Sequence, residues 1–338
     1  MRVANRRFGG VFASVAIAFA FLANANSASA DMALSITPTF GASITGDPNG
    51  AAIIAVINSA IDYYEATFTT KTAVVVDVTI KFDSMGSGLG GSLTGLNKLR
   101  YKAVIDALIA ASSGNATDTT ALAHLPSAVA NPVTGSDFIN GKTANLRALG
   151  FATPGFVDGT FDGKIGLNTH ITDIGSPGTT GEYSLFAVVQ HEIDEVIGLG
   201  SDVGGSGFFA DPAMQDLFRY DHTGTGTRNY TTAGDDAFFS IDGINNLVQY
   251  NQDGFGDYGD WHPSATARVQ DAYATPFEHP TLATSAGLVE VINLDAIGYN
   301  IQGPAVVPEP SSVALLLIGS MSLVGYRWRQ RGGKLATR

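Results

Sequence analysis

The chain has 338 residues, of which 45% are hydrophobic and 15% charged, with 40 glycines, no cysteine and a net charge of −12. This hydrophobic content is sufficient for a packed core, and the absence of cysteine excludes disulfides, cysteine-ligated metal sites and a thiol nucleophile. The acidic balance argues against nucleic acid as a partner, because phosphate binding requires clustered Lys and Arg.

The first thirty residues have the layout of a secretory signal peptide. Three arginines within residues 1–7 precede an uncharged apolar run over 8–23, and the small residues Ala-Ser-Ala follow at 28–30. A basic start, a short apolar segment and a small-residue cleavage site define such peptides. We therefore predict a signal peptide over 1–30 and a mature chain that begins at Asp31. A retained membrane anchor is the alternative, although the apolar run is short for a span.

The body of the chain contains both helical and strand-like patterns. Apolar residues at helical spacing indicate helices, and alternating β-branched residues indicate strands. In chain order we predict a helix over 49–68, a strand over 73–82, a glycine-rich loop over 86–95, a helix over 96–111, loops with one short helix over 112–140 and a strand over 164–171.

The strongest helical pattern in the body runs over 183–199 and includes the sequence His-Glu-Ile-Asp-Glu at 191–195. Four residues are just over one turn, so His191 and Glu195 share a face and Glu192 lies at its edge. That face is otherwise small or polar, and the neighbouring face is apolar, with Leu185, Val189, Ile193, Val196 and Ile197. The pattern therefore predicts a helix with one packed side and one side that lines a cleft.

This helix resembles the HExxH helix of zincin metalloproteases, with Glu195 in place of the second His. In that motif the two outer residues bind the metal, and the inner Glu is the general base. The resemblance implies that His191 and Glu195 are ligands and that Glu192 is the base. A carboxylate is a known zinc ligand, and its charge extends the choice of metal from zinc to manganese or calcium. The alternative is a solvated helix face with a His–Glu pair.

The third ligand is less clearly marked. In the long metzincin motif, HExxHxxGxxH, the position of Gly198 is matched, whereas the third His falls on Ser201. Asp202 follows that position directly after flexible glycines, so we predict Asp202 as the third ligand. The remaining candidates are Asp216, His222 and His262.

Four segments behind the helix strengthen the resemblance. They read DLFRY at 216–220, FSIDG at 239–243, GDYGDW at 256–261 and LDAIGY at 294–299. In this order they resemble a family of secreted metalloproteases that often carry a PEP-CTERM tail, over roughly residues 160–300. The resemblance implies an α+β, zincin-like (metzincin-type) domain over 31–307, with a twisted sheet and a long motif helix. It also implies a cleft whose rim strand, over 164–171, pairs with an extended peptide substrate.

The C-terminal end has the order of a sorting signal. Pro-Glu-Pro at 308–310 is followed by an apolar stretch over 313–326 and an arginine-rich cluster over 327–331. This order resembles the PEP-CTERM signal of Gram-negative bacteria, over 308–331. It implies export, transient membrane association through the tail and processing by an exosortase, with extracellular or cell-surface localisation. The alternative is a plain membrane anchor, for which the apolar stretch is short.

Two functions follow from these observations. The first is a secreted metal-dependent endopeptidase that hydrolyses peptide bonds with metal-activated water. The second is a non-catalytic matrix or surface protein on a zincin scaffold, since the motif is altered. The acidic, glycine-rich loop with Asp253, Asp257 and Asp260 is either a calcium site or a solvated loop.

Overall fold

The computed structural model describes residues 31–174, 182–234, 236–284 and 288–302. The predicted signal peptide over 1–30 and the predicted tail signal over 308–331 lie outside the described residues. Within the described ranges, no helix combines the length and the apolar character that a membrane crossing requires.

The described residues form a mixed α+β structure, as the sequence predicts. The strands are β1 (Met32–Phe40), β2 (Phe68–Thr70), β3 (Val76–Ser84), β4 (Gly90–Thr94), β5 (Leu96–Arg100), β6 (Phe138–Lys142), β7 (Gly163–Leu167), β8 (Thr172–Asp173), β9 (Tyr183–Ser184), β10 (Arg219–Tyr220), β11 (Phe238–Phe239), β12 (Val248–Gln249) and β13 (Asn300–Ile301). The helices are α1 (Ala42–Thr45), α2 (Gly50–Thr67), α3 (Tyr101–Ala111), α4 (Ala116–Ala123), α5 (Thr143–Ala148), α6 (Leu185–Ile197) and α7 (Leu288–Ala296).

The largest sheet has six strands in the order β13-β2-β1-β3-β7-β4. Its central strands β1, β3 and β7 are parallel, and β4 at the end of the sheet pairs antiparallel with β7. Along β3 the side chains of Val78, Ile80 and Phe82 are completely buried and alternate with less buried ones. This alternation is the pattern of a strand that presents one face to the core.

Helices α2 and α6 pack against the sheet and against each other. Residues at helical spacing on α2, including Ile53, Ile57 and Tyr64, are completely buried. The Tyr64 hydroxyl lies within hydrogen-bond distance, 2.7 Å, of both the carbonyl oxygen of Gln190 and a carboxyl oxygen of Asp194 on α6. A polar bond inside an apolar interface thus fixes the position of α6 along α2.

Both ends of α6 are set by specific residues. Ser184 is the N-cap, and its side chain accepts a hydrogen bond of 3.2 Å from the backbone N–H of Ala187. The helix ends at Ile197, and Gly200 follows with a φ of +127°, a conformation that favours glycine. The chain therefore leaves the helix abruptly and enters the loop-rich part of the protein.

Three of the predicted elements need correction. The glycine-rich stretch over 86–95 contains β4, and the first five residues of the predicted helix over 96–111 form β5. The strand predicted over 164–171 ends at Leu167 and lies inside the sheet, so β4 is the end strand instead. Glycines lowered the apparent strand propensity of β4, whereas pairing along β7 stabilises it.

Candidate metal centre

Three potential metal ligands converge beside α6. His191 and Glu195 lie on adjacent turns of the helix, and Asp260 comes from the loop that follows β12. One ligand atom from each residue lies within 4.8 Å of the other two. One imidazole and two carboxylates form a donor set that suits a borderline or hard divalent cation.

A hydrogen bond orients the His191 ring toward this cluster. Its Nδ1 lies 2.9 Å from the carbonyl oxygen of Val269, and its Nε2 lies 3.7 Å from Oδ1 of Asp260. A carbonyl can only accept, so Nδ1 donates, and a ring in the neutral form presents the lone pair of Nε2 to the cluster. Burial lowers the pKa of His191, but the charges of Glu192 and Glu195 outweigh this effect and raise it overall.

Strand β4 contributes directly to the centre. The Ser92 hydroxyl donates a hydrogen bond of 2.6 Å to Oε2 of Glu195. An outer partner of this kind fixes the orientation of a ligating carboxylate. At Gly90 a Cβ atom would lie only 2.4 Å from Oε1 of Glu192, so this position of β4 has room for glycine alone.

Glu192 is a buried acid beside the three ligands. Its side chain is 5% exposed, and Oε2 has no hydrogen-bond partner among the described residues. Burial, reinforced by the nearby charge of Glu195, raises its pKa to about 9. Burial likewise raises the pKa of Asp260, together with the charges of Asp257 and Glu195. Neighbouring negative charges therefore oppose one another at this centre, and a divalent cation would offset that repulsion.

These residues line a cleft of about 560 Å³ between β4, α6 and the segment 267–280. Asp257, Asp271 and Glu278 add further carboxylates to its walls, and Arg268 is the one Lys or Arg among the described lining residues. The small or polar face predicted for the helix lines this cleft at Ser184, Ala187, His191 and Glu195. Its apolar face is buried at Leu185, Val189, Ile193, Val196 and Ile197, as predicted.

Asp202, the predicted third ligand, is not part of the cluster. Its Oδ2 accepts a hydrogen bond of 2.8 Å from the side-chain amide of Asn140. The loop after α6 is folded around Asp216, whose carboxylate accepts bonds from the Ser201 hydroxyl at 2.5 Å and from the Asp202 backbone N–H at 3.0 Å. This loop therefore holds Asp202 against Asn140, and Asp260 takes the third position.

The other candidates also lie outside the cluster. Asp216 is completely buried, and its carboxylate accepts the loop hydrogen bonds described above. Burial raises its pKa to about 6. His222 pairs with Asp236, and His262 is exposed with Nδ1 near the carbonyl oxygen of Pro263. The sequence did place Asp260 in an acidic loop within the GDYGDW segment, but spacing along the chain gave no reason to bring it to His191.

Comparisons with models of known protein families, with curated proteins and with solved structures gave no match for this chain.

Proposed function

We propose that the protein is an exported, metal-dependent peptidase of the zincin type. His191, Glu195 and Asp260 would hold a divalent cation, and Glu192 would be the general base. The observation that carries the proposal is the meeting of three potential ligands in one cleft with Glu192, whose Oε2 has no hydrogen-bond partner among the described residues. Zinc is the first candidate, with manganese or calcium as alternatives, because two of the three ligands are carboxylates.

Each residue has a defined part in this mechanism. A divalent cation bound here would polarise the scissile carbonyl and stabilise the negative charge that develops on its oxygen. Glu192 takes a proton from the attacking water at its free Oε2 and returns it to the leaving amine. The Val269 carbonyl keeps the His191 ring in the tautomer that exposes Nε2.

The raised pKa of Glu192 is compatible with this role. Burial and the charge of Glu195 hold the pKa at about 9 in the metal-free protein. A cation at the adjacent ligands favours the ionised carboxylate, which brings the pKa down toward the neutral range where a general base is most effective.

Strand β4 supports a peptide as the substrate. It stands at the end of the six-stranded sheet, and its residues 90–92 line the cleft beside Glu192. An extended peptide can pair with the backbone of an end strand, which places its own backbone carbonyls near the sheet edge. Gly90 lets the carboxyl of Glu192 lie directly against the backbone of this strand, because a Cβ atom there would lie 2.4 Å from Oε1.

Export follows from the two ends of the sequence. We propose that residues 1–30 direct secretion and that an exosortase removes the tail after a transient membrane association. Intact-mass analysis of protein from the native culture should then show a chain that begins near Asp31 and lacks the arginine-rich end. A full-length chain in the cytosol would contradict export.

The activity is tested by comparing the wild type with Glu192→Gln. Glutamine preserves the size of the side chain but cannot accept the proton from water, so hydrolysis of casein should fall about 10²–10⁴-fold. Bound metal and the unfolding transition should stay unchanged, and chelation should abolish wild-type activity. Glu182→Gln, the same exchange outside the cleft, is the matched control. Equal, chelator-insensitive cleavage by both forms would refute the proposal, and metal binding with no cleavage by the wild type would favour the scaffold alternative.

A further inference from the structure

A single segment, residues 260–271, supplies three contacts to the centre. Asp260 offers a ligand atom, and the Val269 carbonyl binds Nδ1 of His191. The side-chain amide of Gln270 donates a hydrogen bond of 3.2 Å to Oδ1 of Asp260. The geometry of the metal centre therefore depends on how this segment is held against α6.

The two ends of the segment are tied to each other by backbone bonds. The Trp261 N–H donates to the carbonyl oxygen of Gln270 at 2.8 Å, and the Ala272 N–H donates to that of Trp261 at 3.0 Å. These bonds place the residue after Asp260 beside the residue after Val269. They close the segment on itself, but they do not anchor it to the helices.

Glu290 on α7 supplies that anchor. Its Oε1 accepts a hydrogen bond of 2.9 Å from Nε1 of Trp261 and one of 3.1 Å from the backbone N–H of Gln270. The two donors are the direct chain neighbours of Asp260 and Val269. Glu290 is completely buried, and neither the motif nor the cleft lining includes it.

Trp261 is itself a rigid donor. Its ring is completely buried, with centroids 5.7 Å from Phe239 and 5.1 Å from Tyr250. Aromatic packing of this kind restricts the ring to one orientation. The indole N–H therefore cannot follow a displaced acceptor, so loss of the Glu290 carboxyl would leave a buried donor without its partner directly beside Asp260.

We propose that Glu290 is a positioning residue of the metal centre, which sets metal affinity by clamping Trp261 and Gln270 and thereby fixing Asp260 and the Val269 carbonyl. This inference rests on the proposed metal site. Outer partners of metal ligands typically contribute 10–100-fold to affinity. Loss of the Glu290 acceptor should therefore weaken metal binding by about that factor.

The test measures zinc affinity of the purified full chain by competition with a chromophoric chelator. Glu290→Ala should weaken binding about 10–100-fold. Glu290→Gln should restore it to within about threefold of the wild type, because the amide oxygen still accepts both bonds. Burial raises the pKa of Glu290 to about 7, so a neutral side chain is a fair substitute near neutral pH.

Asp295→Ala is the matched control for general loosening of α7. Asp295 lies on the same helix, is completely buried and accepts bonds of 2.9 and 3.1 Å from the Asn115 side chain, away from the segment. The Asp295→Ala variant should have a lower unfolding midpoint and an unchanged zinc affinity. Trp261→Phe removes one of the two clamped donors while keeping a ring, and should weaken binding less than Glu290→Ala does.

The outcomes separate the two proposals. If the wild type binds no divalent metal, the metal site itself fails. If the wild type binds metal but Glu290→Ala and Trp261→Phe bind it equally well, only the role of Glu290 is refuted. Equal weakening by Asp295→Ala, or no recovery in Glu290→Gln, would also overturn that role. Should Glu290→Ala not fold, Trp261→Phe and Glu290→Gln decide the question.

Discussion

Two regions of the molecule build the candidate centre, and they are stabilised differently. Helix α6 rests on apolar packing, with Val189, Ile193 and Ile197 completely buried. Residues 251–271 are irregular, and buried polar side chains such as Asn251 and Gln270 hold them through hydrogen bonds. The helix ligands are therefore placed by the hydrophobic core, whereas Asp260 is placed by a polar network around the packed ring of Trp261.

Because of this difference, the two regions should respond differently to mutation. Apolar packing is non-directional and loses stability in proportion to the volume removed. A polar network depends on the geometry of each donor and acceptor, so a small displacement alters the ligand position before it alters the fold. Mutations in α6 should therefore affect stability first, and mutations within residues 251–271 should affect metal affinity first.

The largest expected contrast in stability is between Ile193 and Phe255. Ile193→Ala removes a completely buried side chain from α6 and should cost about 2–5 kcal/mol of unfolding free energy. Phe255, within residues 251–271, is 96% exposed, so Phe255→Ala should change the unfolding free energy by about 0.5 kcal/mol or less. Urea denaturation of the metal-free protein measures both. Similar losses would mean that Phe255 packs against the protein and is not exposed.

The free energy of unfolding should depend on pH because buried acids such as Asp295 titrate differently in the folded and unfolded states. Burial, together with the charge of Asp118, raises the pKa of Asp295 from 3.8 to about 7. Between these values the unfolded state ionises first, so stability falls as the pH rises from about 4 to 7, by at most about 4 kcal/mol from this group. The side chain of Asp295→Asn cannot titrate, so the unfolding free energy of the metal-free variant should depend less on pH between about 4 and 7. An unchanged profile, or stability that rises over this range, would contradict the assignment.

The smallest effect is expected at the start of α6. Ser184→Ala removes the acceptor for the Ala187 N–H and should cost about 0.5–2 kcal/mol of unfolding free energy. Zinc affinity should stay within about threefold of the wild type, because the core holds His191 almost two turns further on. A large loss of affinity would show that α6 depends on its cap and that packing does not fix the helix ligands.

The helices that pack around the site, α2 and α6, were largely predictable. Periodicity gave α2 and α6 with errors of two residues or fewer at each end. It failed at β4, where Gly90 and Gly91 obscure a strand that pairing with β7 stabilises. Pairing of this kind joins residues distant along the chain, which a local pattern does not contain.

The candidate site was predictable only where a helix carries it. The spacing of His191 and Glu195 places both on one face, and the resemblance assigned the role of Glu192. Asp202 was chosen because it is close to the motif in sequence, but the loop folds it onto Asn140. Asp260 lies 65 positions beyond Glu195, and it is surrounded by contacts between distant parts of the chain, such as the hydrogen bond from Trp261 to Glu290, which no periodicity encodes.

The central claim is that Asp260, and not Asp202, completes the centre with His191 and Glu195. The most direct measurement is the zinc affinity of Asp260→Asn and Asp202→Asn, compared with the wild type in one competition assay. Because a direct ligand contributes at least as much as an outer partner, Asp260→Asn should weaken binding by about a hundredfold or more. Asp202→Asn, the same exchange outside the cluster, should bind within about twofold of the wild type. Unchanged affinity in Asp260→Asn, with a large loss in Asp202→Asn, would contradict this account.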